Sequence, residues 1–128
     1  MNDELRQAES PLPGILIWDL PVLEDQRGCF VKSYRESGAM AAKLMFQLRE
    51  EFYSISHVGV LRGMHFQVPP ADHGKLITCM AGRVLDVVLD LRPGPNYGSH
   101  RSFELSGNRP QTIWIPRGIA HGFLSLQD

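Results

Sequence analysis

From residue 51 onward the chain is punctuated by turn signals at short, regular intervals. They are Val58-Gly59, Pro69-Pro70, Ala81-Gly82, Pro93-Gly94-Pro95-Asn96 and Ser106-Gly107-Asn108. Aliphatic, aromatic and β-branched runs fill the spaces, at 51–57, 60–67, 75–80, 83–91, 100–105, 111–115 and 121–126. Two more come earlier, Ile15-Leu16-Ile17-Trp18 and Cys29-Phe30-Val31-Lys32-Ser33-Tyr34, separated by the turn Asp25-Gln26-Arg27-Gly28. Eight or nine short strands punctuated in this way predict an all-β sandwich or barrel. One segment breaks the pattern. Over 36–48, Met40, Leu44 and Leu48 recur at i, i+4 and i+8, with Ser33 or Ser37 as a cap, and predict one short α-helix.

The strand Val84-Leu85-Asp86-Val87-Val88-Leu89-Asp90-Leu91 is apolar on both faces except for two aspartates. A strand of that kind lies between layers. Asp86 then points into the interior, where an ionised carboxylate needs a partner.

The 128 residues suffice for one domain with a sizeable core, and the 43% apolar content is ordinary for a globular chain. Residues 1–13 are polar, hold Pro11 and Pro13, and read as a flexible arm ahead of a single domain over 14–128. A net charge of −1 supplies no field to draw the protein to nucleic acid or to a membrane surface. No spanning apolar run and no secretion signal are visible, so the expected location is cytoplasmic. Cys29 and Cys79 are expected to remain reduced there.

Two segments place histidines on strand-like stretches bracketed by glycines. One is Leu61-Arg62-Gly63-Met64-His65-Phe66-Gln67, the other Pro116-Arg117-Gly118-Ile119-Ala120-His121-Gly122-Phe123. A lone strand histidine is more often structural than catalytic, but Arg62 and Gln67 beside His65 shift the balance toward function. Strict alternation separates Arg62 from His65; a bulge at Gly63 would turn both the same way. His121 can be oriented by Asp86, because a carboxylate on one ring nitrogen raises the basicity of the other. Lys75 opens a strand. Lysines there are usually solvated, but one directed inward would stabilise a developing oxyanion. Arg27, in its tight turn, has the planar fork that suits a diphosphate, although most turn arginines are merely exposed. His57, His73 and His100 read as surface or turn residues; Trp114, Phe103, Phe123 and Tyr97 read as packing.

A metal site is weighed against these. Gly59-x5-His65-x-Gln67-x4-Asp72 and Pro116-x-Gly118-x-x-His121 are similar to the two halves of the cupin metal signature. The first half has Gln67 in place of a second histidine, which leaves a poor ligand set for zinc or iron. No metal and no cofactor are expected.

Taken together, the segments resemble the dTDP-4-dehydrorhamnose 3,5-epimerase family of nucleotide-sugar enzymes. The resemblance runs from Gly14 to the last residue. It rests on Asp25-Gln26-Arg27-Gly28-Cys29-Phe30, Gly59-Val60-Leu61-Arg62-Gly63-Met64-His65-Phe66-Gln67, Gly74-Lys75-Leu76, the strand from Val84 to Arg92, Tyr97-Gly98, Glu104-Leu105-Ser106, and Trp114-Ile115-Pro116 through His121-Gly122-Phe123-Leu124. It implies a cupin-type double-stranded β-helix (jelly roll), a homodimer, and epimerisation at C3, C5 or both of a nucleotide-diphosphate 4-keto-6-deoxy sugar in deoxysugar or surface-polysaccharide biosynthesis. By position it implies His65 as the base and Lys75 as the enolate stabiliser. Asp86 and His121 become a supporting acid–imidazole pair, and Arg62 a substrate contact. Arg27 would reach the nucleotide diphosphate across the dimer interface, with Phe30 near the base. Glu50 and Gln67 complete the expected substrate-binding set.

Departures accompany the resemblance. Lys32 stands where the family has glutamate, and Glu50 and Phe52 where it has glutamine and asparagine. The family's C-terminal segment, with its tyrosine acid and the aspartate paired to the catalytic histidine, is expected to be lacking here. Three rivals follow: a sugar-nucleotide ketoisomerase, a non-catalytic sugar-nucleotide-binding cupin, and a metal-dependent cupin enzyme.

Overall fold

The computed structural model describes residues 7–8, 11–37, 44 and 47–128. Among these residues ten strands follow in order: β1 Gln7–Ala8, β2 Leu16–Asp19, β3 Val22–Asp25, β4 Gly28–Val31, β5 Leu61–His65, β6 Lys75–Thr78, β7 Arg83–Asp90, β8 His100–Ser106, β9 Gln111–Ile115 and β10 Ile119–Ser125. They form two four-stranded antiparallel sheets, β1-β2-β9-β6 and β5-β10-β7-β8, with β3 and β4 as a separate hairpin. This is the expected all-β jelly roll of cupin type.

The core lies between the two sheets. Ile15, Ile17, Ile113 and Ile115 from the β2–β9 side meet Val88, Leu105 and Ile119 from the β7–β10 side, and Ile77 and Phe103 pack at the margin. Period two decides the rest. Trp18, Leu16, Leu76 and Trp114 point to the opposite face of the β2–β9 sheet, where Leu44, Val31 and Tyr34 cover them. β7 alternates as its sequence demands, with Asp86, Val88 and Asp90 all buried. Asp90, 1% exposed, is held by Arg92 at 2.7 Å, and the same guanidinium donates to the Pro13 carbonyl, so the segment before β2 is fastened to the end of β7.

Two expectations need revision. Residues 51–57 form no strand. Phe52, Tyr53 and Ile55 are 82%, 76% and 83% exposed. Apolar alternation makes a strand only where a neighbour accepts its backbone hydrogen bonds, and among the described residues no strand lies alongside. The second strand ends at Val31 rather than continuing to Tyr34. The helix expected over 36–48 falls largely outside the described residues: Leu44 has helical backbone, whereas Gln47 and Leu48 are irregular. Of the presumed arm, Gln7–Ala8 pairs with Trp18 and Ile17, and Leu12 is buried in the core; residues 1–6 and 9–10 lie outside the described set. Among the described residues no helix is long and apolar enough to cross a membrane.

Candidate functional site

β10 is the hub of the site. It pairs with β7 on one side and β5 on the other. Residues directly opposite in an antiparallel pair share a face. His121 opposes Val88, a core residue, so His121 faces inward, as does Asp86 two residues before Val88. A 2.8 Å hydrogen bond joins His121 Nε2 and Asp86 Oδ2, with a single proton between them. Asp86 is 1% and His121 6% exposed. Burial pushes the Asp86 carboxyl above its ordinary range, against the lowering effect of the bond to His121. Its other oxygen, Oδ1, has no hydrogen-bond partner among the described residues.

β5 brings the second histidine. His65 opposes His121, and Arg62 opposes Phe123. Three residues of advance on β5 match two on β10, so β5 is bulged at Gly63 and Met64. The extra residue lets His65 and Arg62 both face inward, as a bulge at Gly63 was expected to do. Directly opposed Cβ atoms lie about 4.5–5.5 Å apart, which sets the two imidazoles side by side. Glycine is required at this crossing. A Cβ on Gly63 would lie 2.7 Å from Gly122 Cα, and one on Gly122 would lie 2.8 Å from the Arg62 carbonyl oxygen. Phe123 stands next to His121, with ring centroids 6.4 Å apart.

Lys75 arrives from the other sheet. It opposes Ile115, and Ile77 opposes Ile113, so Lys75 shares the inward face with core residues. It is only half-buried, at the start of its strand. The inward faces of the two sheets therefore carry His65, Arg62 and the His121–Asp86 pair on one side and a lysine on the other. Such a set can remove a carbon-bound proton and stabilise the resulting oxyanion.

The remaining residues expected at the site lie on exposed segments outside the two large sheets. Arg27 and Phe30 lie on the exposed β3–β4 hairpin, where Arg27 is bound to Asp25 at 2.6 Å. Glu50 and Gln67 are exposed, on irregular segments. Asp72 of the metal-like pattern lies 4.0 Å from Arg117. Among the described residues no three His, Cys, Asp or Glu side chains converge as metal ligands would.

Sequence reasoning passed over Ser56. Its Oγ accepts a hydrogen bond from Arg62 Nε at 2.9 Å. Nothing in the local pattern marks it, because the contact depends on an irregular segment lying beside β5.

Comparison with known proteins identifies a family and its fold. The family model described as dTDP-4-dehydrorhamnose 3,5-epimerase matches residues 9–128. A curated dTDP-4-dehydrorhamnose 3,5-epimerase of Shigella flexneri is 37% identical over 124 residues, covering 94% of this chain and 67% of its own. An epimerase structure from Mycobacterium tuberculosis superposes with a TM-score of 0.87 at 36% identity, over 97% of this chain and 63% of that one. A dTDP-6-deoxy-D-glucose-3,5-epimerase of Legionella pneumophila, solved with dTDP-4-keto-L-rhamnose, gives a TM-score of 0.81 at 32% identity, over 97% and 66%. The chain thus spans about two thirds of the length of the relatives it matches.

Proposed function

Because the chain belongs to the dTDP-4-dehydrorhamnose 3,5-epimerase family, we propose that it epimerises a nucleotide-diphosphate 4-keto-6-deoxy sugar beside the ketone, at C3, C5 or both. Protons on carbons flanking a carbonyl are acidic because the carbanion delocalises into an enolate. His65 takes one onto its imidazole, the Lys75 ammonium stabilises the enolate oxygen, and a solvent-derived proton is returned to the opposite face of the same carbon, which regenerates the ketone with that centre inverted. The His121–Asp86 pair lies beside His65 and supports its imidazole. Arg62 contacts the sugar nucleotide. The observation that carries the reading is the register that puts His65 and His121–Asp86 on the inward face of one sheet and Lys75 on the inward face of the other. The residues 14–128 act as one domain, and no metal or cofactor enters any step.

The functional unit in this reading is a homodimer in the cytoplasm. Supporting the dimer are the exposed Phe52, Tyr53, Ile55, Phe66 and Val68, together with β5 as the outer strand of its sheet among the described residues. A patch of that kind marks an interaction surface. Arg27 and Phe30, on the exposed β3–β4 hairpin, would reach the partner's nucleotide. Two unpaired cysteines accord with a reducing compartment.

The test is proton exchange. Incubation with dTDP-4-keto-6-deoxyglucose in deuterated water should wash out H3, H5 or both by proton NMR, and His65→Ala should abolish the exchange. Wild-type protein that binds the ligand but leaves both protons in place would overturn the proposal.

A further inference from the structure

Arg62 is held from one side. Nε donates to Ser56 Oγ at 2.9 Å, and Nη2 donates to the Ile55 carbonyl at 3.4 Å. Ser56 is itself tied to the hub strand, since its carbonyl accepts from Ser125 Oγ at 3.3 Å. Ser125, 3% exposed, is clamped through its backbone as well. Gly59 N donates to its carbonyl at 2.8 Å, and Ser125 N donates to the Val60 carbonyl at 2.9 Å. A continuous run of hydrogen bonds therefore leads from β10 through the irregular segment at 55–56 to the guanidinium. Arg62 opposes Phe123, two residues from His121 on the same inward face. Nη1 makes no hydrogen bond within the described part of the chain, whereas Nε and Nη2 are both engaged.

We propose that Ser56 is a positioning residue of the sugar-nucleotide site: it holds the Arg62 fork so that Nη1 presents its N–H groups to an oxygen of the ligand. The inference rests on the reading above that Arg62 contacts the sugar nucleotide. An arginine on an exposed strand has many rotamers, and ligand binding must select one of them. The Ser56 acceptor makes that selection in advance. Removal of the hydroxyl returns the freedom to Arg62 and weakens binding, while the proton-transfer groups keep their places.

The experiment compares Ser56→Ala, Ser56→Thr, Arg62→Lys and the Ser56→Ala/Arg62→Lys double variant in the full chain. Steady-state kinetics use dTDP-4-keto-6-deoxyglucose, with calorimetric titration of dTDP on the wild type and melting temperatures for every protein. Ser56→Ala should raise KM about tenfold with kcat changed by less than about twofold, the scale of one hydrogen bond to a charged group. Ser56→Thr, which keeps the hydroxyl, should restore most of the loss. On the Arg62→Lys background the alanine should add little, because lysine has no fork to hold. If Ser56→Ala does not fold, Ser56→Cys takes its place, similar in size with a weaker acceptor.

An unchanged KM in Ser56→Ala, with wild type active, overturns the inference and leaves the function standing. Parallel loss of kcat and melting temperature, without rescue by threonine, also overturns it, since that is a folding role. Wild type that neither binds dTDP nor exchanges protons overturns the functional reading, and the inference falls with it.

Discussion

Gly63→Ala is the most direct test of how the site is assembled. Gly63 has a φ of +112°, and a Cβ there would lie 2.7 Å from Gly122 Cα and 2.8 Å from the His121 carbonyl oxygen. Both atoms belong to the backbone of β10, which is held on its far side by the whole length of β7. β5, at the sheet edge, is the strand that must yield, by roughly 0.7 Å to reach ordinary van der Waals separation. Overpacking of this kind costs about 1–3 kcal/mol, and the positive φ adds about 1–3, for about 2–6 kcal/mol together. That is a large part of a total stability of about 5–15 kcal/mol. Displacement of β5 also moves His65 away from His121, so folded protein should exchange sugar protons at least about tenfold more slowly. Urea unfolding followed by tryptophan fluorescence measures the first effect, and the deuterium assay the second. Gly59→Ala is the control: Gly59 also has positive φ, at +84°, but its Cβ would meet nothing within 4 Å. A Gly63→Ala protein no less stable than Gly59→Ala would refute the close-approach argument.

Two further outcomes are expected. Burial raises the Asp86 carboxyl above 3.8, so between 3.8 and that raised value the native state keeps a proton that the unfolded chain has lost. The native state binds more protons there, and the contribution of Asp86 to stability therefore falls as pH rises through the window. Asp86→Asn cannot titrate, so the stability gap between wild type and variant should narrow with rising pH in urea titrations; a widening gap would count against the assignment. Sedimentation equilibrium should give a two-protomer mass, and Ile55→Asp should shift it toward one protomer. A wild type that stays monomeric at tens of micromolar would remove the dimer.

Much of this protein is legible along the chain. β7 is recognisable because it is apolar on both faces, and its aspartates, at even spacing with Val88, had to be buried. The turn residues separate β6, β7, β8 and β9 to within a residue or two, because glycine and proline act locally through backbone geometry. The segment at 51–57 shows where such reading fails. Phe52, Tyr53 and Ile55 have strand composition but no neighbouring strand among the described residues, and strand formation is a pairwise property.

The sequence by itself determined the class of fold, the strand segments and the residue types able to do the chemistry, since period, turn preference and side-chain pKa are properties of short stretches. The relations among those residues belong to the tertiary structure. Alternation alone assigns Arg62 and His65 to opposite faces; the register of β5 against β10, one residue longer on β5, reunites them. Lys75 looks like a solvated strand start until pairing with Ile115 turns it toward the opposite sheet. Ser56 acquires a role only because Ser125, far along the chain, fastens it beside Arg62. Register and sheet packing join residues distant in sequence, and their energies depend on contacts that no local pattern contains.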